Sequence, residues 1–391
     1  MTSRTDRLLI CLAALLRSSG VGFASAVLAI YLDKRGFGPA SIGLIVSAGL
    51  AGGACMTALV SFFGDRWGRR RVLILLAIFG AAGGLGLALS PSVIVIAALS
   101  FLGMVNGMGH DRGGAYALEQ SALSGATSVR ERTKLFAAYH AAGDVGCALG
   151  SLAAALVALV GYKTLWFAYA AAMGTGALLY PMLSVSVELP HPPRPLSPES
   201  RARIVRFSAL SAIDSLGSGF LTSALIAYFF YKRFGLNETD IGILFLAADL
   251  ANIASNFLAE RLAGRIGLVN TMVFTHLPAS LFLIAMAFSP SFPLAATLFL
   301  LRELFIEMDV PTRQSFLASI VKPEERTAAL GLVQLTRTAM WAIAPGAAGL
   351  MMRGVALASP LVAGSSCKIG YDLLLLREFR HLEPVDEPSE G

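Results

Sequence analysis

Glu303 and Glu307 stand four residues apart in a strongly apolar part of the chain. At that spacing two side chains share one face of a helix. Two carboxylates held together in a low-dielectric interior cannot both stay ionised cheaply, so one takes up a proton near neutral pH. A carboxyl group that gains and loses a proton inside a membrane is what proton coupling requires. Neutralisation by Arg302 or by Arg337 is the competing arrangement. Arg17 and Asp214 form a second set. Each lies about ten residues, or ~15 Å, into its own apolar stretch. A charge at that depth is costly unless it is paired or hydrated.

These residues sit in a chain that repeats itself. Arg17-Ser18, Gly20 and Gly22-Phe23 recur as Asp214-Ser215, Gly217 and Gly219-Phe220, 197 residues later. Gln120-Ser121, Leu123 and Glu131-Arg132-Thr133 recur as Gln314-Ser315, Leu317 and Glu325-Arg326-Thr327, 194 residues later. A duplication of about half the chain in an apolar protein points to a transporter built from two related halves. Equivalent positions in the halves face each other across the axis. Arg17 and Asp214 are therefore expected to pair directly or to divide a site for a polar substrate; pairing within each half is the alternative.

Other polar groups fall inside apolar stretches. Asp144 and Asp249 lie deep and are expected to line a cavity. His140 reads as a packing residue or, with its ordinary pKa near neutrality, a proton relay. Asp111 with Arg112, and Lys368 with Asp372, are close in sequence and are expected to pair locally.

Composition decides the solvent. Of the 391 residues, 55% are hydrophobic and 14% charged, with a mean hydropathy of +0.68. A soluble chain carries roughly a quarter charged residues. The apolar residues form runs of about 20, the length a helix needs to cross a bilayer. An all-α polytopic membrane protein follows, and a β-barrel, which needs shorter alternating segments, is excluded. Cys11, Cys55, Cys147 and Cys367 all lie in apolar runs, without the pairing or clustering of a disulfide or metal framework. The first apolar run continues to spanning length, so no cleavable signal peptide is expected.

Twelve spans are predicted, at about 8–32, 40–63, 72–90, 93–113, 134–160, 164–185, 205–231, 240–262, 269–288, 293–318, 328–352 and 355–376. They group as a six-helix bundle over 1–187, a Pro-rich basic linker over 188–204, a second bundle over 205–378, and a tail over 379–391. Arg and Lys concentrate in alternate connections: Arg66 to Arg71, Arg130 to Lys134, Arg194 to Arg206, Arg261 with Arg265, and Lys322 with Arg326. That side, with both termini and the linker, is expected to be cytoplasmic, placing the chain in a cell's inner (plasma) membrane. Six spans per half make the repeats parallel, related by an axis along the membrane normal. On this map both copies of the Gln-Ser repeat fall in cytoplasmic links, after spans 4 and 10.

The loop after span 2 reads Gly64-Asp65-Arg66-Trp67-Gly68-Arg69-Arg70-Arg71, and the loop after span 8 reads Glu260-Arg261-Leu262-Ala263-Gly264-Arg265-Ile266-Gly267. The first resembles the loop 2/3 signature of the major facilitator superfamily, with Ser61 where Gly usually leads and Phe63 where Leu is common; the second is its weaker echo. The resemblance spans essentially the whole chain. It implies twelve transmembrane helices in two parallel-related six-helix bundles that rock about a central substrate. It also implies a cytoplasmic gate at Asp65, Arg66, Arg69, Arg70, Glu260, Arg261 and Arg265, with Asp65 and Arg69 as the gating pair. Drug/proton antiporters of the family carry an Arg before a Gln-Gly pair in span 4 and a Gly-Pro pattern in span 5. Here those stretches read Phe101-Leu102-Gly103-Met104-Val105-Asn106-Gly107 and Gly143-Asp144-Val145-Gly146-Cys147-Ala148-Leu149-Gly150, with neither the Arg nor the Pro.

The expected function is secondary transport by alternating access, as proton-coupled export of a small organic molecule. Proton-coupled uptake of a polar metabolite or organic anion, with Arg17 and Arg337 as ligands, is the alternative. The candidate cavity residues are Arg17, Asp144, Asp214, Asp249, Glu303, Glu307 and Arg337. A membrane enzyme or a non-transporting receptor is the remote reading, because the five histidines are scattered and no nucleophile elbow appears. The chain lacks a Walker loop, which excludes an ATP-driven pump. No cofactor beyond a coupling proton, no catalytic or metal residue and no nucleic-acid partner is expected; the partners are substrate and lipid, and the chain is expected to act as a monomer.

Overall fold

The structure is a computed structural model describing residues 3–110, 113–124, 129–185, 197–309, 312–313, 316–317, 320–321 and 325–379. Regular structure among these residues is helical. The helices are α1 (Arg4–Lys34), α2 (Pro39–Trp67), α3 (Arg69–Leu89), α4 (Val93–Leu102), α5 (Gly114–Ser124), α6 (Val129–Ala155), α7 (Val157–Val160), α8 (Tyr162–Leu179), α9 (Pro198–Phe220), α10 (Ser223–Phe234), α11 (Glu238–Ile266), α12 (Leu268–Ala287), α13 (Phe292–Ile306), α14 (Arg326–Gly354) and α15 (Ser359–Phe379). Within the described residues, each predicted span falls on a helix or on a helix with a break. Among the described residues, five stretches are long and apolar enough by composition to cross a membrane: Arg4–Lys34, Pro39–Ser61, Arg69–Leu89, Ser200–Phe234 and Leu268–Ala287.

The ends of these helices follow local chemistry. At the start of α1, Ser3 and Asp6 form a capping box, each side chain bonded to the other's backbone N–H at 3.0 and 2.8 Å. Asp6 also accepts from the N–H and hydroxyl of Ser184 at 2.8 and 2.7 Å, tying the start of α1 to the chain beyond α8. Gly68 (φ +87°) and Gly267 (φ +86°) turn the chain from α2 into α3 and from α11 into α12. A side chain is strained at such angles. In the weaker echo of the motif, Gly264 lies inside α11 and the turn falls at Gly267. Helix α9 begins at Pro198, inside the predicted linker, because Pro at the first helical position loses no hydrogen bond. The linker residues 188–196 and the tail from 380 onward lie outside the described residues.

Packing divides the chain into two compact units. One comprises Met1–Pro190, Thr222–Leu246 and Trp341–Leu357; the other comprises His191–Leu221, Ala247–Met340 and Ala358–Gly391. In the first unit α1 packs on α6 and α8, and α3 on α8 and α4. Glycines bring α1 and α6 into backbone contact. A Cβ on Gly22 would lie 2.2 Å from the Cys147 carbonyl, and one on Gly150 would lie 2.0 Å from the Ser19 carbonyl. An apolar core gathers Ile10, Leu73, Leu76, Leu118, Leu123 and Tyr139. In the second unit α15 packs against α9 and α12, around a core with Phe207, Met272, Phe316, Ile320, Val333 and Tyr371.

Among the described residues, the breaks in two predicted spans bear on the site. Span 4 is α4, which stops at Leu102, followed by irregular backbone through His110 and then α5. Span 7 breaks at Leu221 and Thr222, where the Thr222 hydroxyl accepts from the Leu225 N–H to start α10. Gln120 and Ser121 therefore lie on α5, not in a link between spans; the second copy, Gln314-Ser315, lies outside the described residues.

Candidate functional site

In the first unit, α1 carries Arg17 and α5 carries Glu119. Arg17 donates from both terminal nitrogens, to Glu119 Oε1 at 3.1 Å and Oε2 at 2.7 Å. Tyr139 on α6 donates to Oε2 at 2.7 Å and Tyr180 donates to Oε1 at 2.8 Å. The Glu119 side chain is wholly buried. A buried carboxylate is tolerated when its lone pairs are met by a forked guanidinium and further donors, and here each oxygen has two. The sequence reading named Arg17 but passed over Glu119, Tyr139 and Tyr180. The available signal was the repeat itself: 194 residues beyond Glu119 stands Arg313, a reversed charge next to the repeated Gln-Ser.

In the second unit, Asp214 on α9 is fully buried and receives Arg337 (α14) at 2.7 Å and Lys368 (α15) at 2.8 Å, one on each oxygen. The expected pair of Arg17 with Asp214 is thus replaced by two pairs, one inside each unit, because each charge has an opposite charge on a neighbouring helix of its own unit. Local pairing of Lys368 with Asp372 also fails, since Lys368 is committed to Asp214. Asp372 instead faces His276 (α12), whose Nδ1 lies 3.3 Å from Oδ1, while Nε2 lies 3.7 Å from Asp309. Arg313, four residues after Asp309, bonds it in turn.

Glu303 is buried and bonded to the adjacent Arg302. Helix α13 stops at Ile306, and Glu307 is its C-cap residue. Arg337 bonds Asp214. The half-buried Asp144 and Asp249 lie on α6 and α11. His140 is exposed, 3.4 Å from Gln120. Asp111 and Arg112 lie outside the described residues.

The break between α4 and α5 is fastened residue by residue. The Gly107 carbonyl accepts from the Ala224 N–H at 3.0 Å and the Met108 carbonyl from the Ser223 hydroxyl at 2.8 Å. Asn106 accepts from the Met108 N–H and donates to the His110 carbonyl, both at 2.7 Å. Met104 (φ +51°) and Gly109 (φ +96°) supply the turns. Irregular backbone at membrane depth is stable only when its polar groups are met in this way.

At the far ends of α1 and α10 the first unit carries a second ionic group. Lys34 bonds Glu238, which also accepts from the Tyr162 hydroxyl. Asp33 receives Lys232 at 2.7 Å and the Tyr228 hydroxyl at 3.0 Å. Burial pushes the Glu238 carboxyl up, but hydrogen bonds from Lys34 and Tyr162 outweigh it and hold the group below its ordinary range. Beside these pairs α2 meets α14: the Gly346 N–H donates to the Ser47 hydroxyl at 2.8 Å, and Gly43 packs on Gly349. Gly242 on α11 packs on Ser151 and Ala155 of α6, where Thr239 donates to the Ala155 carbonyl at 3.1 Å.

The family model of the Major Facilitator Superfamily matches residues 10–213 and 207–367. The chain belongs to the major facilitator superfamily. An uncharacterized membrane protein of Saccharomyces cerevisiae is 24% identical, over 95% of this chain and 93% of its own. The nucleoside transporter NupG superposes with a TM-score of 0.75 at 14% identity, over 97% of this chain and all of that one. The D-xylose-proton symporter gives 0.72 at 15%, over 95% and 96%. The human organic anion transporter MFSD10 gives 0.70 at 16%, over 95% and 99%. At these identities the structures establish the shared fold.

As a member of this superfamily the chain is a membrane transporter, not an enzyme, with the twelve-helix fold. Its loop 2/3 motif ends α2 and begins α3. Arg69 is buried and Arg70 donates to the Pro181 carbonyl, while Arg66, Arg261 and Arg265 are exposed. The side chains of Asp65 and Glu260 lie outside the described residues.

Proposed function

We propose that this transporter works by alternating access and exports a small organic molecule in exchange for protons. The observation that carries the reading is the closed end in the first unit. There α1 and α10, α2 and α14, and α6 and α11 meet in pairs, each joining one helix from either sequence repeat. Ion pairs and backbone contacts at small residues can separate without unfolding a core, as a reversible seal must. The charge pattern of the connections favours placing this end at the outer face.

Proton linkage is supported by the ionisable groups buried among spanning helices of the second unit. Export is favoured over anion uptake because Arg17 and Arg337, the cations such an anion would need, are each bonded to a carboxylate. The test is flux in liposomes with an imposed pH gradient, using a panel of small organic compounds and an internal pH dye. Compounds moving opposite to protons support the reading. Movement indifferent to the gradient removes proton linkage, and movement along with protons reverses the direction.

A further inference from the structure

Seven ionisable side chains of the second unit meet in one buried group. Asp214, Asp309 and Asp372 supply three carboxylates; Arg313, Arg337 and Lys368 supply three basic side chains; His276 is the seventh. Carboxylates and cations balance, so the group is neutral when His276 is neutral. All are buried, with Asp214 and Asp372 showing no exposure.

The pairing within the group is uneven. Asp214 has a cation on each oxygen and Asp309 has Arg313. Asp372 faces the His276 ring, 3.3 Å from Oδ1, with Lys368 acting on it from beyond bonding distance; neither Asp372 oxygen meets a well-aligned hydrogen-bond donor. The buried Tyr371 hydroxyl next to it has no partner either. An unsatisfied carboxylate beside an imidazole, inside a membrane protein, is a costly arrangement that a structural role does not explain.

We propose that His276 and Asp372 form a one-proton binding site, with Asp309 on the second ring nitrogen. One added proton makes an imidazolium that faces a carboxylate on each side and donates toward Asp372 Oδ1. The groups facing the ring are Asp309 from the segment after α13, and Asp372 and Lys368 from α15; Asp214 and Lys368 act on Asp372. Lys368 opposes the charging of the ring, and the two carboxylates favour it. The bound proton leaves the group with a net charge of +1. No set of three or more His, Cys, Asp or Glu side chains among the described residues is placed to hold a metal ion. The site rests on the proton-linked reading only for what its proton drives.

The experiment follows the imidazole resonances of the full chain in detergent across pH, for the native protein and for His276→Gln, which identifies the His276 signal by its loss. That signal is expected to titrate, and Asp372→Asn and Asp309→Asn are each expected to displace its midpoint by about one pH unit or more. His140→Gln is expected to leave it in place. A His276 signal that never titrates, or a midpoint unmoved in both aspartate variants, overturns the site. Flux separates the two proposals. A titrating His276 in a protein with no proton-linked flux defeats the coupling reading and keeps the site. Proton-linked flux undiminished in His276→Gln, with a ring that does not titrate, defeats the site and keeps the coupling.

Discussion

Arg17 grips Glu119 through both carboxylate oxygens, and the position equivalent to Glu119 in the second repeat is Arg313. Arg17 itself is equivalent to Asp214. The two halves have exchanged acid for base at both positions. The repeat kept its scaffold and inverted its buried charge, and each half then found partners on its own helices.

Removing one partner of the Arg17–Glu119 pair leaves the other charge buried and uncompensated, at a cost of about 3–5 kcal/mol. Arg17→Met is expected to lower thermal stability and folded yield sharply. Arg17→Met with Glu119→Leu is expected to recover much of that loss, because no buried charge remains. Melting in detergent measures both, and a double variant worse than either single would contradict the pairing.

Asn106 fastens the break between α4 and α5 through two hydrogen bonds. Asn106→Ala removes both bonds and leaves the Met108 N–H without its Asn106 acceptor, at about 1–3 kcal/mol if it stays buried. Faster amide exchange at Met108 is expected, with α6 unchanged. Exchange at Met108 equal to that of the native protein would show that the break is held elsewhere.

That break also marks the limit of what the sequence made legible. The twelve-helix fold follows from apolar run length, and Gly68 in the loop 2/3 motif marks the turn after span 2; the two compact units instead draw Thr222–Leu246 and Trp341–Leu357 to the first half of the chain. Gly103, Asn106, Gly107 and Gly109 were a breaker cluster inside an apolar run, but run length alone read the stretch as one span. Depth singled out Arg17 and Asp214 as buried charges, but their partners come from helices distant in the chain. Glu119 was hidden on the edge of a polar repeat, and His276 looked isolated because Asp309 and Asp372 are 33 and 96 residues away.

Gly43 and Gly349 let α2 and α14 touch. A Cβ on Gly43 would lie 2.3 Å from the Pro345 carbonyl, and one on Gly349 would lie 2.4 Å from the Pro39 carbonyl. Gly349→Ala is expected to disfavour the sealed end by about 1–3 kcal/mol, raising its open fraction roughly 5- to 150-fold where that fraction is small. Labelling of a cysteine at Ser47, in a chain stripped of its native cysteines, reads this out. Unchanged labelling would mean that the contact does not hold the seal.

The Glu238 carboxyl lies below its ordinary range in the sealed form. Its contribution is therefore complete above the ordinary carboxylate pKa and is lost as pH falls through the lowered value. Acidification of that face below the ordinary range is expected to open the seal, and Glu238→Gln is expected to remove that acid dependence and leave the seal weaker at neutral pH. Accessibility against pH checks this, and opening on alkalinisation would give the wrong sign.

The most direct measurement of the central claim is the distance between spin labels placed at Phe37, beyond the end of α1, and Phe234, at the end of α10, in liposomes. Alternating access predicts two distances, short and long, with Lys34→Gln and Glu238→Gln each raising the long population. A single short distance, unchanged in both variants and across pH, would contradict the account.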